Sequence, residues 1–196
     1  MTDKIDPRRT ALLVMDYQNG VVAMLGEPEE LLSRAADAIA TVRQAGGHVG
    51  YVRVAFADKD LEAIPPTSRM GQRVRTMPPD ALHDDSPSTA VHHRVAPEPG
   101  DIVVRKVRTG AFSTTDLDVQ LRERGVDTLI LAGISTSGVM LSTVRDASDR
   151  DYRVIVLADA TADPDPEIHA FLIERVFPRQ GAVISVSELE GLLSGS

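Results

Sequence analysis

Short, nearly continuous apolar runs alternate along the chain with longer segments in which apolar residues recur at helical spacing. A short apolar run bounded by turn residues is typical of a strand buried on both faces of a parallel sheet. The predicted strands are residues 10–16, 48–56, 101–106, 128–132, 152–157 and 181–184. The predicted helices are residues 29–45, 114–124, one from about Gly138, one from Pro164 through Val176, and 188–193. This alternation predicts an α/β fold, with about six mostly parallel strands and helices on both faces of the sheet.

Capping and turn residues stand at several of these boundaries. Gly46-Gly47 follows helix 29–45, as glycine commonly does just past a helix C-terminus. Thr115 is the predicted N-cap of helix 114–124, and Ser187 is the predicted N-cap of the last helix. No repeat, low-complexity tract or linker divides the chain, so we expect one domain over residues 1–196.

Residues 57–100 have weak periodicity and contain Pro65-Pro66, Pro78-Pro79 and three further prolines. A segment this long between regular elements is usually a functional lid, or it contains short helices. Ser68 to Arg75 is one candidate helix, and it carries Arg69, Arg73 and Arg75. Placed over a pocket, one of these arginines would bind a carboxylate through two parallel hydrogen bonds. The sequence alone favours the alternative, a solvated basic face or a subunit contact.

The composition is that of an ordinary globular domain: 196 residues, 42% hydrophobic and 26% charged. A net charge of −8 argues against nucleic-acid binding, which relies on a basic surface. No apolar run approaches the ~18 residues that cross a membrane, and residues 1–9 lack the apolar core of a signal peptide. We therefore expect no membrane association and a cytoplasmic location.

The chain contains no cysteine, which excludes a disulfide, a thiolate metal site and a cysteine nucleophile. Histidine also offers little for a metal site. His92-His93 is the one adjacent pair, and neighbouring side chains on an extended segment point in opposite directions. We expect neither a metal nor another cofactor.

Two charged residues follow buried strands directly. Asp16 ends the first predicted strand and Lys106 ends the third. Open α/β sheets bind ligands at the carboxyl ends of their strands, so we expect the two side chains to converge across neighbouring strands. A partly buried lysine beside a carboxylate would tune its proton affinity. The alternatives are a turn-capping role for Asp16 and a surface position for Lys106.

The segment 129–147 joins a buried strand to a helix through a turn rich in glycine, serine and threonine. The strand breaks at Gly133, and the helical pattern resumes at about Gly138. Backbone N–H groups at such a helix start, together with the helix dipole, favour an anion or a developing oxyanion.

These features together resemble a known family. The stretches that carry the resemblance are the strand that ends in Asp16, Arg105-Lys106 before Gly110-Ala-Phe-Ser-Thr-Thr-Asp-Leu117, Gly133-Ile-Ser-Thr136 and Thr143-Val-Arg-Asp-Ala147. They resemble the isochorismatase-like hydrolases, which include nicotinamidases, N-carbamoylsarcosine amidohydrolases and isochorismatase. The resemblance spans roughly residues 8–190. It implies a three-layer αβα, Rossmann-like fold, a small-molecule substrate, and assembly as a homodimer or homotetramer.

The resemblance also implies roles for individual residues. Asp16 and Lys106 match the family's catalytic aspartate and lysine. The family's oxyanion-hole turn, which contains a non-proline cis peptide, maps onto Ile134, Ser135 and Thr136. The substrate-binding residues expected from it are Ile134, Ser135, Thr136, Gly138, Val139 and Phe112, although core packing is an equal alternative for Phe112. Most members carry their nucleophilic cysteine at the position of Val139, so the resemblance implies the fold more firmly than the reaction.

Metal binding in the nicotinamidase branch uses an Asp-x-His after the second strand. That region reads Val54-Ala-Phe-Ala-Asp58 in this chain, without the motif. The resemblance therefore gives no reason to expect a metal site, in agreement with the composition.

Three kinds of chemistry stay open. Isochorismatases lack the cysteine and hydrolyse a vinyl ether with the aspartate as general acid, which Asp16, Lys106 and a water would support. They differ from this chain at two positions. They carry a glycine where this chain has Val139, and a tyrosine is expected where this chain has Ser135. A serine nucleophile is less favoured, because Gly133-Ile-Ser-Thr-Ser137 lacks the second glycine of Gly-x-Ser-x-Gly and no base is evident. The third alternative is a pseudoenzyme or small-molecule binder.

Overall fold

The structure, a computed structural model, describes residues 4–78 and 80–193. Pro79 of the Pro78-Pro79 pair and both ends of the predicted domain 1–196 lie outside these residues. The strands are β1 (Thr10–Met15), β2 (His48–Val54), β3 (Ile102–Lys106), β4 (Thr128–Ile134), β5 (Arg153–Ala162) and β6 (Ala182–Ile184). They form one sheet in the order β3-β2-β1-β4-β5-β6, and every pairing is parallel.

In the described residues, eight α-helices connect and cover these strands. They are α1 (Asn19–Val22), α2 (Glu29–Gln44), α3 (Asp58–Glu62), α4 (Arg69–Thr76), α5 (Leu117–Glu123), α6 (Leu141–Asp149), α7 (Pro166–Phe171) and α8 (Val186–Leu193). Short 3-10 helices lie at Pro7–Arg9, Pro87–Thr89, His93–Val95 and Phe177–Arg179, and π-helical turns lie at Thr136–Met140 and Leu172–Val176. In the part of the chain that the structure describes, none of the helices has the length and apolar character needed to span a membrane.

The sheet has a separate apolar core on each face. On one face, α2 and α8 bury residues such as Leu32 and Leu189 against the strands. On the other, α5 and α6 bury Leu121 and Val144. β1 is buried at all six positions, because it has a strand on each side and helices above and below. The predicted three-layer αβα fold with a six-stranded parallel sheet is confirmed.

Helix α5 begins at Leu117 rather than at residue 114. Thr115 precedes the helix and stabilises the turn before it. Its hydroxyl donates to the Ala111 carbonyl oxygen at 2.6 Å and accepts from the Leu117 N–H at 3.3 Å. The predicted N-cap at Thr115 is therefore displaced by one residue, since Asp116 occupies the N-cap position.

The last helix begins at Val186, so the predicted N-cap at Ser187 is wrong. Ser185 stands before the helix, and the Glu188 carboxylate accepts hydrogen bonds at 2.8 Å from both its N–H and its hydroxyl. These two hydrogen bonds between Ser185 and Glu188 stabilise the start of the helix. The residue that stands before the helix is therefore Ser185, two residues earlier than the predicted Ser187. β5 is also longer than predicted. It continues to Ala162 because, past a break in the register, Thr161 pairs with Gly133 of β4.

Residues 57–100 contain α3, α4 and two 3-10 helices. The predicted helix near 68–75 is confirmed as α4, where the Ser68 hydroxyl caps by accepting from the Gly71 N–H. Ion pairs hold this segment to the sheet. Arg53 on β2 contacts Asp84 at 2.5 Å, and Arg105 on β3 contacts Asp60 at 2.6 Å. Arg105 also lies 3.5 Å from Asp84. The segment is therefore fastened at the same edge of the sheet where the strands end.

Candidate active site

Asp16 and Lys106 form a buried ion pair at the carboxyl edge of the sheet. Asp16 directly follows β1 with a left-handed φ of 58°, and Lys106 is the last residue of β3. Lys106 Nζ lies 2.8 Å from Asp16 Oδ2. The two strands are not neighbours, as the sequence had suggested, because β2 lies between them. The pair therefore spans the end of β2, beside the β1/β4 junction where the strand order reverses.

The two carboxylate oxygens of Asp16 have different surroundings. Oδ2 accepts the Lys106 contact, and Lys106 Nζ also donates to the Thr109 carbonyl oxygen at 2.8 Å. Oδ1 is buried and finds no hydrogen-bond partner within residues 4–78 and 80–193. Burial raises the pKa of Asp16 above its ordinary value, and the charge and hydrogen bond of Lys106, together with the nearby Val54 N–H, oppose this only in part. Such a carboxyl group is suited to donating and accepting a proton.

The turn after β4 brings backbone and side chains close together. The Ile134–Ser135 peptide bond is cis, as the family resemblance implied. The Ser135 carbonyl oxygen accepts from the N–H groups of Gly138 and Met140, both at 3.2 Å. A Cβ atom at position 138 would lie 2.8 Å from Ser135 Oγ, so any larger residue there would displace the Ser135 hydroxyl from its present position.

A cavity of about 780 Å³ opens between this edge of the sheet and α4. Asp16 and Lys106 line it, and so do four of the six predicted substrate-binding residues: Ile134, Ser135, Gly138 and Val139. Much of the remaining wall is aliphatic, including Met24, Val74 and Met77. Arg69 and Arg73 of α4 also line the cavity, which favours the pocket position over the solvated face that the sequence alone favoured.

Phe112 and Thr136, the other two predicted substrate-binding residues, do not line this cavity. Phe112 is buried in the core beneath α5 and α6, where its ring stacks on Tyr152 with the centroids 6.1 Å apart. Arg150 covers the Phe112 ring at 4.9 Å. For Phe112 the structure therefore favours the core-packing alternative, since neighbouring side chains already occupy its surroundings.

Thr136 has a partner that sequence reasoning missed. Its fully buried hydroxyl forms a 2.8 Å hydrogen bond with Nδ1 of His169 on α7. Burial lowers the pKa of His169, and the nearby Asp163 opposes that shift, so the ring favours its neutral form. Asp163 also accepts from the N–H and the hydroxyl of Ser137. These contacts join the turn to α7 across more than 25 residues, and no local pattern in the sequence signals them.

The histidine pair is arranged differently from the sequence-based expectation. The His92 and His93 rings lie 4.4 Å apart rather than pointing in opposite directions, because His93 begins a 3-10 helix instead of continuing an extended segment. Within the described ranges, no group of three or more histidine, aspartate or glutamate side chains is placed to hold a metal ion.

Sequence comparison matches residues 10–188 to the isochorismatase domain family. The chain is 33% identical to an uncharacterized isochorismatase family protein, YwoC, from Bacillus subtilis, covering 92% of each chain. It is 34% identical to the ureidoacrylate amidohydrolase RutB from Methylobacterium radiotolerans, covering 96% of this chain and 81% of that one.

Solved structures with this fold agree with the sequence match. A cysteine hydrolase from Pseudomonas syringae superposes with a TM-score of 0.86 at 26% identity, covering 98% of this chain and 95% of the other. N-carbamoylsarcosine amidase from Thermoplasma acidophilum superposes with a TM-score of 0.75 at 30% identity, covering 93% and 99%. The domain match, the relatives above 30% identity and the shared fold lead to one conclusion: this chain belongs to the isochorismatase family of hydrolases.

Proposed function

We propose that this protein hydrolyses a small organic molecule by acid–base chemistry that uses no cysteine, with Asp16 as the general acid and Lys106 as its charge partner. One observation carries the proposal: the buried Asp16 carboxyl lines the cavity and keeps one oxygen without a hydrogen-bond partner among the described residues. Val139 occupies the position of the family's nucleophile and has no lone pair to offer.

The local charges suit a cycle in which the proton leaves Asp16 and returns. In the free protein, burial favours the protonated carboxyl group. For a vinyl ether, Asp16 donates this proton to the enol carbon, and the C=C π bond breaks to give an oxocarbenium ion. A water molecule adds to that cation and its proton returns to the Asp16 carboxylate. The hemiketal so formed then breaks its C–O bond to the leaving alcohol, which departs with the hydroxyl proton and leaves a carbonyl product. Lys106, 2.8 Å away, stabilises the carboxylate while it is charged.

A protein hydroxyl is a weaker candidate for the attacking group. Thr136 has a base within reach in His169, but its hydroxyl is fully buried and does not line the cavity. Ser135 does line the cavity, but within residues 4–78 and 80–193 its hydroxyl forms no hydrogen bond with a basic side chain that could activate it. These positions favour water as the attacking group.

The alternative proposal is a catalytically inactive member that binds a small molecule. Val139 favours this alternative, because an apolar side chain that is only 2% exposed stands where most family members carry their nucleophile. The free energy required to bury the Asp16–Lys106 pair argues against a merely structural role, but a binding role could use the pair as well.

A substrate panel separates these proposals. It contains vinyl ethers, aryl esters, simple amides and N-carbamoyl compounds, the last two chosen because named relatives are a ureidoacrylate amidohydrolase and an N-carbamoylsarcosine amidase. Turnover of at least one class by the purified protein supports hydrolysis. The absence of turnover in every class, by a protein shown to be folded, supports the inactive alternative.

We further propose that the protein assembles as a homodimer or homotetramer and is located in the cytoplasm. Two large apolar side chains on α7, Ile168 at 42% and Phe171 at 61% exposed, support self-association. Light scattering coupled to gel filtration would measure the oligomeric state.

A further inference from the structure

Helix α4 covers the cavity with a face that is partly apolar and partly cationic. Met70 and Val74 contribute the apolar part, extended by Met77 just after the helix, and Arg69 and Arg73 contribute the charges. Residues four apart lie on the same face of a helix, so the two guanidinium groups are neighbours along α4. Both arginines are exposed to solvent as well as lining the cavity, which places them at its entrance.

Nearby arginines are used differently. Arg75, on the same helix, donates to the carbonyl oxygens of Leu61 and Ile64 at 3.1 and 2.8 Å. Arg53 and Arg105 are paired with Asp84 and Asp60. The Arg69 and Arg73 side chains, by contrast, have no hydrogen bond or ion pair with any residue that the structure describes. Their donors are available to a ligand.

The charge balance of the cavity is opposite to that of the whole protein. Among the described residues, the charged side chains that line it are Arg69, Arg73, Lys106 and a single acid, Asp16, which is already paired with Lys106. The chain as a whole carries a net charge of −8. A concave, cationic site on an acidic protein concentrates an anionic ligand in preference to a neutral one.

We propose that Arg69 and Arg73 form a recognition site for a carboxylate, and that the substrate is therefore a small carboxylic acid with an apolar body. This inference rests on the proposed hydrolase function and extends it to a substrate class. The forked guanidinium groups would hold the carboxylate at the entrance, and the aliphatic wall would cover the apolar body. The scissile bond would then lie deeper in the cavity, toward Asp16. Arg69 and Arg73 are specificity residues in this arrangement and take no part in proton transfer.

Binding of a ligand that cannot be hydrolysed tests this inference without requiring turnover. The probe is hexanoate, compared with the neutral hexanamide and with hexyl phosphate. Titration calorimetry measures each against wild type, Arg69→Gln, Arg73→Gln and the double variant. Arg145→Gln is the matched control, because Arg145 is an exposed helical arginine that does not line the cavity. Circular dichroism and thermal midpoints establish that each variant is folded.

We expect wild type to bind hexanoate more tightly than hexanamide, and the double variant to lose roughly tenfold or more in hexanoate affinity with little change for hexanamide. Arg145→Gln should match wild type. Equal binding of hexanoate and hexanamide, undetectable hexanoate binding, or unchanged affinity in the double variant would each overturn the proposal. Phosphate-selective binding, with hexyl phosphate retained and hexanoate weak, would overturn the carboxylate assignment.

The outcome is separable from that of the proposed function. Arginine-dependent hexanoate binding without any turnover in the substrate panel would support the recognition site and contradict hydrolysis. Turnover of neutral substrates without arginine-dependent binding would support hydrolysis and contradict the recognition site.

Discussion

Lys106 Nζ lies 2.8 Å from Asp16 Oδ2, while Asp16 Oδ1 is buried without a hydrogen-bond partner in the described chain. The contact spans the end of β2 and therefore depends on the parallel order of three strands. It gives one carboxyl group two opposing influences: burial favours the protonated form and the lysine favours the ionised form. Burial is the larger influence, so the pKa of Asp16 is raised overall, as the proposed proton cycle requires.

The rate of hydrolysis should depend on pH through the protonation of Asp16. Because burial raises the pKa of Asp16 above 3.8, the active protonated form persists at pH values where an ordinary aspartate is ionised. If Asp16 is the general acid, kcat/KM should be constant below this raised pKa and should fall about tenfold for each pH unit above it. A pH–rate profile of the free enzyme tests this. A kcat/KM that rises through the same range would show that Asp16 acts as a base in the rate-limiting step.

Lys106→Met should shift that profile. Methionine fills similar space without the charge that opposes protonation of Asp16, so the pKa of Asp16 should rise further. The falling limb of kcat/KM should move to higher pH, with a lower maximum rate because the carboxylate loses its charge partner. Thermal unfolding would establish that the variant is folded. An unshifted limb in the folded variant would exclude electrostatic coupling between the two residues.

The ion pairs that fasten residues 57–100 to the sheet give a stability prediction. Burial alone would raise the pKa of Asp60, but hydrogen bonds from Arg105 and the Ala57 N–H lower it below 3.8. A depressed carboxyl pKa stabilises the fold above the unfolded-state pKa, and this contribution is lost as pH falls through the folded-state pKa. Asp60→Asn should therefore reduce the free energy of unfolding by about 1 kcal/mol near pH 7.

Urea denaturation near pH 7 and at successively lower pH would measure this difference, which should shrink at and below about pH 3.8. Asp85→Asn is the control, because Asp85 is exposed and its side chain shows no ion pair among the described residues. Equal stabilities of wild type and Asp60→Asn near pH 7 would contradict the proposal that the Arg105–Asp60 ion pair holds residues 57–100 to the sheet.

Val139→Cys should not by itself produce an efficient amidase. The introduced thiol would occupy a site that is 2% exposed, and it would need a lowered pKa, a matched oxyanion hole and a suitable substrate orientation. We expect amide hydrolysis by this variant to stay near background, with a thermal midpoint close to that of wild type. Rapid turnover of simple amides would show instead that the site is complete apart from its nucleophile.

The sequence predicted those parts of the molecule that depend on local pattern. Asp16 and Lys106 each follow a buried apolar run, so their position at the sheet edge was predictable from neighbouring residues alone. Their arrangement across β2 was not, because strand order depends on how crossover helices cover the two faces. The Thr136–His169 hydrogen bond joins residues 33 apart in the sequence, so it could not be predicted from local pattern either.

Exposure and polarity set a further limit on prediction. Arg69 and Arg73 have the pattern of a solvated helix face, and they are exposed, but that solvent-facing side of α4 also borders the cavity. The extension of β5 through Asp159 was missed because polar residues interrupt its apolar run. In each case the tertiary environment, rather than local propensity, determines the outcome.

The most direct test of the account is the hydrolysis rate of wild type and Asp16→Asn, measured at saturating concentrations of a substrate that the panel identifies. Asparagine preserves the shape of the side chain and removes the transferable proton. We expect kcat of Asp16→Asn to fall about a thousandfold, with binding of the substrate retained and the protein folded. A folded Asp16→Asn variant that hydrolyses the substrate within a few-fold of the wild-type rate would contradict the role of Asp16 and, with it, the proposed mechanism.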